Sequence, residues 1–499
     1  MNITRSINSW KGSFSLNKFS SQLNSINGQR YTLNSVNDSL TLGLNEGTNV
    51  SVIGVIDGEE SVISETTTES NTGNGEVTNY ETTDTTAVTG KVSINPDIPG
   101  AKVKSIQYGN VLDSTTTDSS GNYTIEATEE STLYYIVDGF EHNSSDLYAS
   151  TKRQPTFESD INVDFDETEI ETVDTGTETV SVINTAQNGV ITIGSIYELQ
   201  AFDTEVSEDY ELVRDIDASE TSSWNNGNGF DPIEDPNGYF GEENYQGTFN
   251  GNGYEISNVT IDNSGESERA AIFEFYAGNI TNLTITDFEF TGSEYGSGGL
   301  VGVHTGENVS LSNIEANNIT INSTSPDVGG LIGFNDYLTT IENVTISNPT
   351  VDSTGSSGGI IGYSGLVKLS NVSVEGGSVS ADDTAGGAIG EVYAFTDLDA
   401  TDNVNSSADV TSEGIIAGGL IGKISPDDHE RTVTIKNTSA TGNVTGSGYS
   451  LGRLVGLNLG ESVYENVFAT GDVTNNRSSS DPEVGGESGG LIGELDESV

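Results

Sequence analysis

The feature that most constrains this chain is a glycine-framed pentapeptide that keeps returning. It reads GGLVG at 298–302, GGLIG at 329–333, GGIIG at 358–362, GGAIG at 386–390, GGLIG at 418–422, GRLVG at 452–456 and GGLIG at 489–493, with successive first glycines 28 to 37 residues apart. A repeat of that length marks a solenoid, in which each unit buries its apolar face only by stacking on its neighbours. A second column runs in step: Asn313, Asn343, Asn371, Asn403, Asn437 and Asn466 each follow their glycine pair by 13 to 19 residues. Short runs around Val379, Val410, Val444 and Val473 close the units, so each coil reads as three short strands. Leu, Ile and Val would fill a narrow interior, glycines would allow φ > 0 at the corners, and asparagines stacked inside the coils would hydrogen-bond from coil to coil. No 3.6-residue apolar stripe is present, so a helical reading is poor. The predicted fold is all-β, a parallel β-helix solenoid.

The block GGLIG, a turn, and then ENVTISN (342–348) or YENVFATGDVT (464–474) resembles the GLUG motif of adhesin-like surface proteins with right-handed β-helices. Similar lead-in segments stand at 191–202, 210–219 and 245–261, so the resemblance covers roughly residues 185–499. It implies a right-handed solenoid and leaves activity open, because a fold does not fix a function. Residues 87–141, with TGKVS, GAKV, TDSSGNYTI and YYIVDGF, are similar to small β-sandwiches of the carboxypeptidase regulatory type, which implies a spacer without catalytic residues. The remaining segments are then an N-terminal β-rich attachment unit over 1–65, carrying Arg5, Lys11, Lys18 and Arg30, a Thr-rich linker over 66–86 and an acidic connector over 142–184.

Charge is the next constraint. The chain holds 77 acidic and 17 basic residues, a formal net charge of -60. Such self-repulsion weakens a compact fold in dilute buffer but keeps a surface hydrated where salt screens it. The acids are spread along the repeats, not gathered in a tail, which points to a halophilic archaeon or its virus. Nucleic acid is excluded as a partner because no basic patch replaces phosphate counterions. Cysteine is absent, so neither disulfides nor thiolate metal sites contribute. No apolar run is long enough for a membrane span, and the first residues lack an apolar export segment.

Sites of chemistry are harder to find. Carboxylate pairs suited to glycoside hydrolysis are uninformative among so many acids. Lys368, Lys423, Arg431 and Arg453 occupy no shared repeat position, and His142, His304 and His429 share no motif. The chain therefore reads as a non-enzyme without cofactor, holding at most loosely bound Ca2+, Mg2+, Na+ or K+. Sequons are frequent, but those in the asparagine column (Asn343, Asn371 and Asn437) would be unusable if that column lay inside the coils. Binding is expected on loops that stretch the repeat, at Tyr393, Phe395, His429 and Arg477, and on an aromatic insertion holding Trp224, Tyr239 and Tyr245. The insertion could equally plug the open first coil.

These readings combine into a structural appendage of a halophilic virus, a tail fibre or capsid spike. Residues 1–65 would dock on other virion proteins and the solenoid would meet a host-surface glycoprotein or polysaccharide, with a homotrimer as the expected assembly. A haloarchaeal cell-surface adhesin is the alternative, and a polysaccharide-degrading enzyme the third reading.

Overall fold

The computed structural model describes residues 85–495 except 108, 158, 203–207, 235–246, 266–268, 307–308, 394–397, 426–431 and 477–486, together with the backbone of six strands between Gly12 and Thr67. Two compact units are distinguished: Met1–Phe140 with Ser150–Ile170, and Glu141–Ala149 with Glu171–Val499.

In the first unit, strand formation follows the alternation of residues. Asn122–Ala127 (NYTIEA) alternates exposed and buried positions and pairs antiparallel with Thr86–Ser93, which also pairs in parallel with Ile161–Asp164. Gly90 lies where these backbones come closest: a Cβ there would sit 1.9 Å from the Ile161 carbonyl oxygen. Lys102–Gln107 pairs antiparallel with Asn110–Thr116 and with residues 132–136. Tyr123 and Tyr135 meet edge to face in the core, 5.6 Å between centroids. The Tyr123 hydroxyl donates to the Ile161 carbonyl and so accepts from Tyr135, which leaves neither buried hydroxyl unpaired.

The second unit is a parallel β-solenoid. One coil shows the plan. It begins with Ser297–Gly298, turns at Gly299 and Leu300, runs along Val301–His304 and then Val309–Asn317, and finishes with Thr320–Ser323 before the next coil opens at Val328–Gly329. Each strand pairs in parallel with its counterpart one coil on. Among the described residues this produces rows of 20, 8 and 7 strands, the first holding two legs of every coil. A coil therefore has four legs where three were expected. The additional one is the two or three residues ending in the first glycine, too short to show an alternation.

The pentapeptide recurs because its third and fourth positions build the core. Val301, Ile332, Ile361, Ile389, Ile421 and Val455 stand in register and are buried, as are Leu300, Leu331, Ile360, Leu420 and Leu454. Each such side chain contributes about 1.5–3 kcal/mol by burial, and none can be buried without the coils on either side.

The left-handed corners expected of the glycines fall to the asparagines. None of Gly298, Gly329, Gly330 or Gly358 has a positive φ. They are glycines because backbones touch: a Cβ at Gly329 would lie 2.0 Å from the Ile332 oxygen, and one at Gly330 would lie 2.1 Å from the Gly359 oxygen. The left-handed corners belong instead to Asn313, Asn343, Asn371, Asn403, Asn437 and Asn466, at φ of 49° to 58°. Asparagine tolerates this region better than other residues with a Cβ.

The side chains of these residues are exposed, so the asparagine column is an outer edge and does not lie inside the coils. The expected coil-to-coil hydrogen bonds run along this edge. The Nδ2 of Asn313, Asn343, Asn371 and Asn403 donates to Oδ1 of the asparagine one coil earlier at 3.1, 3.2, 3.2 and 3.0 Å. Asn437 departs from the row by donating to Asp402 at 2.8 Å, and Asn466 resumes it on Asn437 at 3.1 Å.

Candidate functional site

Parallel strands in register place equivalent residues about 4.8 Å apart, the spacing at which flat side chains stack. The residue directly after each pentapeptide forms such a column on the outer side of the Val301–His304 leg. In order along the stack it runs Phe275, Val303, Phe334, Tyr363, Glu391, Lys423, Leu457 and Glu494.

The Phe334 and Tyr363 rings are stacked, 5.0 Å apart and 5° from parallel, and Tyr295 meets Phe334 edge-on at 5.9 Å. Next to them the Arg269 guanidinium sits 4.5 Å from the centroids of both Phe275 and Tyr295. Its Nη1 donates to Glu274 Oε1 at 2.6 Å, with both residues buried. A cation held between two rings and a carboxylate in this way fixes that end of the column. Further along, Glu391 Oε1 accepts from Lys423 Nζ at 2.7 Å and from Ser425 Oγ at 2.8 Å.

Asp327 belongs to the same surface. It has φ of 66°, immediately precedes Val328–Gly329 and is half-buried. Loss of water, followed by the charge of Glu391, pushes its carboxyl up to about 7. The Tyr363 phenol is raised too, mainly by desolvation, then by Glu391, Asp336, Asp327 and Tyr393. At neutral pH Asp327 therefore passes between hydrogen-bond donor and acceptor, near the Glu391 carboxylate that accepts from Lys423. Partial loss of water raises Asp231 and Glu234, both still exposed, and Glu234 is raised further by Glu274, the partner of Arg269, and by Asp231. Among the described residues no group of three or more His, Asp or Glu is arranged to hold a metal ion. The surface sets rings, charges and hydrogen-bonding groups side by side.

The residues singled out from the sequence fall in several places. Trp224 is 1% exposed, its ring 5.2 Å from that of Tyr197, which in turn lies 4.3 Å from Tyr148. The Tyr197 hydroxyl is 2.8 Å from a Glu178 carboxylate oxygen and 2.7 Å from one of Glu220. The indole thus offers no open face to a sugar and is packed in the core against Tyr197. Tyr393 is half-buried beside the outer column, its backbone N–H donating to the Ser364 oxygen at 2.7 Å. Tyr239, Tyr245, Phe395, His429 and Arg477 lie outside the described residues. His304 stands within the solenoid in register with Tyr276 and Asn335, fully buried, and burial lowers its imidazole to about 4.

Sequence reasoning missed the outer column, though a signal was present. In GGLVGV, GGLIGF, GGIIGY, GGAIGE, GGLIGK and GRLVGL the sixth residue changes from repeat to repeat while the frame before it scarcely does. A constant frame carrying a variable outward position marks a place where the scaffold leaves chemistry free to differ.

No family model matches this chain. Among solved structures, a candidate immunoglobulin A1 protease from Bacteroides ovatus aligns with a TM-score of 0.42 and 19% identity, covering 63% of this chain and 86% of that one. Among curated proteins, the chain is 30% identical over 295 residues to Halomucin of Haloquadratum walsbyi, a match that takes in 53% of this chain and spans 2% of Halomucin's length.

Proposed function

We propose that this chain is part of a haloarchaeal cell-surface protein, in which the β-solenoid acts as a stiff, acidic display element for adhesion. The observation that carries the reading is the similarity to Halomucin, a protein of a halophile, over 53% of the chain. Two properties of the chain support it. A charge of -60 suits a surface bathed in concentrated salt, where the Debye length falls to about 3 Å at 1 M and neighbouring acids cease to repel at distance. The stack of in-register coils is rigid by construction and presents its outer column, from Phe334 to Lys423, to whatever meets it.

This reading is preferred to the virion appendage, which no observation on the fold or its relatives favours. No enzymatic role is proposed, since a solenoid fold does not by itself fix an activity. The test is to raise antibodies against the solenoid and apply them to intact haloarchaeal cells carrying the gene, alongside purified virus particles. Labelling of intact cells that protease treatment removes is the expected result. Label confined to particles would restore the viral reading, and label seen only after lysis would refute surface display.

A further inference from the structure

We propose that Asn322 carries an N-linked oligosaccharide on the solenoid, while the sequons of the asparagine column remain unmodified. The inference rests on the surface reading above, because an N-glycan is added only to a chain that meets the export machinery.

Sequons are common in this sequence, so composition alone cannot choose among them; the geometry of the carboxamide can. Where all three residues of a sequon are described, the asparagine side chain is in nearly every case committed. Asn343 donates to Asn313 and accepts from Asn371, with both contacts at 3.2 Å. Asn318 donates to Asp287 at 2.9 Å, Asn437 to Asp402 at 2.8 Å and Asn443 to Asp409 at 3.0 Å. A sugar on any of these nitrogens would enter a row whose next carboxamide or carboxylate lies about one hydrogen-bond length away.

Asn322 differs on each count. It is exposed on the Thr320–Ser323 strand, and its carboxamide forms no hydrogen bond. The residues in register with it are Thr291 and Asp352, and Asp352 is engaged instead by the Ser380 hydroxyl on its far side. The third sequon residue is also available: Thr324 is exposed and its hydroxyl makes no hydrogen bond. By contrast, the Ser373 hydroxyl of the Asn371 sequon lies 3.3 Å from Thr345 Oγ1, and Thr345 is itself the third residue of the Asn343 sequon. Asn322 thus combines a free nitrogen, a free hydroxyl and an outward face of the eight-stranded row.

In the transfer, a bond forms between Asn322 Nδ2 and the anomeric carbon of an oligosaccharide carried on a lipid phosphate. The bond from that carbon to the phosphate oxygen breaks, the lipid phosphate leaves with the electron pair, and the amide nitrogen gives up one proton.

The experiment is to express the full chain in a haloarchaeal host competent for N-glycosylation, recover it from the cell surface and map intact glycopeptides by mass spectrometry. The expected result is a glycan on the peptide containing Asn322, lost in both Asn322→Gln and Thr324→Ala, with Asn343 and Asn371 bare. Thr324→Ala keeps the asparagine and so separates loss of the sequon from loss of the side chain. A surface-exposed chain with Asn322 bare, or with sugar on Asn343 or Asn371, would overturn the assignment and leave surface display standing. A chain found only inside the cells would overturn the surface reading, and the assignment with it.

Discussion

Replacing Asn343 by glycine and by alanine separates the two functions that the asparagine edge performs. Asn343 has φ of 55°, donates to Asn313 and accepts from Asn371. Either substitution removes both side-chain hydrogen bonds, which at an exposed site are worth together roughly 1 kcal/mol. Glycine keeps the left-handed backbone without strain, whereas alanine adds about 1–2 kcal/mol for holding a Cβ there. Asn343→Gly should therefore cost about 1 kcal/mol and Asn343→Ala about 2–3 kcal/mol. Urea unfolding in concentrated KCl, followed by circular dichroism, measures the difference, and hydrogen exchange at the amides around Asn371 shows whether the loss begins at the next coil. Equal destabilisation by the two substitutions would refute the argument that asparagine holds these corners because of their backbone conformation. A combined effect near zero would refute the hydrogen-bonded edge as well.

Further outcomes follow from the same geometry. Gly330→Ala places a Cβ 2.1 Å from the Gly359 carbonyl oxygen, backbone that cannot swing aside, so a loss above about 3 kcal/mol or local opening of two coils is expected in thermal unfolding. Asp327 binds a proton when folded that the unfolded chain releases, its carboxyl standing near 7 against 3.8, so its contribution falls as pH rises from about 4 to 7. At about 1.4 kcal/mol per unit the whole shift is worth roughly 4 kcal/mol, reduced to about 2 kcal/mol for partial exposure; Asp327→Asn should recover that amount at pH 8 and almost nothing at pH 4. His304 works in the opposite sense, its buried imidazole near 4 against 6.5, so its neutral form adds stability above 6.5 that is lost as pH falls. Stability of Asp327→Asn followed by denaturant titration should therefore rise with pH between about 4 and 6.5, where in the native chain the two groups offset one another.

Much of the fold was legible because one short motif carries it. Leu331 and Ile332 are core residues and Gly329 and Gly330 are contact points, so the pentapeptide encodes both the interior and the closest approach of neighbouring coils. What could not be read was direction. A repeating Asn is compatible with an internal stack or an external edge, and only the exposure of Asn343 in the folded chain decides between them. Likewise a repeating Gly suits a left-handed corner or a tight contact, and periodicity cannot tell a missing Cβ from an unusual backbone angle. Trp224 was legible as part of an aromatic insertion, but whether its ring was open or buried was not, because its packing on Tyr197 depends on a residue 27 positions earlier in the chain. The outer column was hidden for the opposite reason: Phe334, Tyr363, Glu391 and Lys423 share no residue type, and their kinship is one of register alone.

Register is also what the central claim comes down to, and the absence of native cysteine makes it directly measurable. Thr345 and Ser373 pair across adjacent coils with their hydroxyl oxygens 3.3 Å apart, whereas Glu375 pairs with Ser347, two positions along. A Thr345→Cys, Ser373→Cys double variant should close an intramolecular disulfide under mild oxidant, and Thr345→Cys with Glu375→Cys should not, since that offset places the Cα atoms beyond about 7 Å. Closure of the first pair alone is the result a parallel in-register solenoid predicts; preferential closure of the second, or no difference between them, would contradict it.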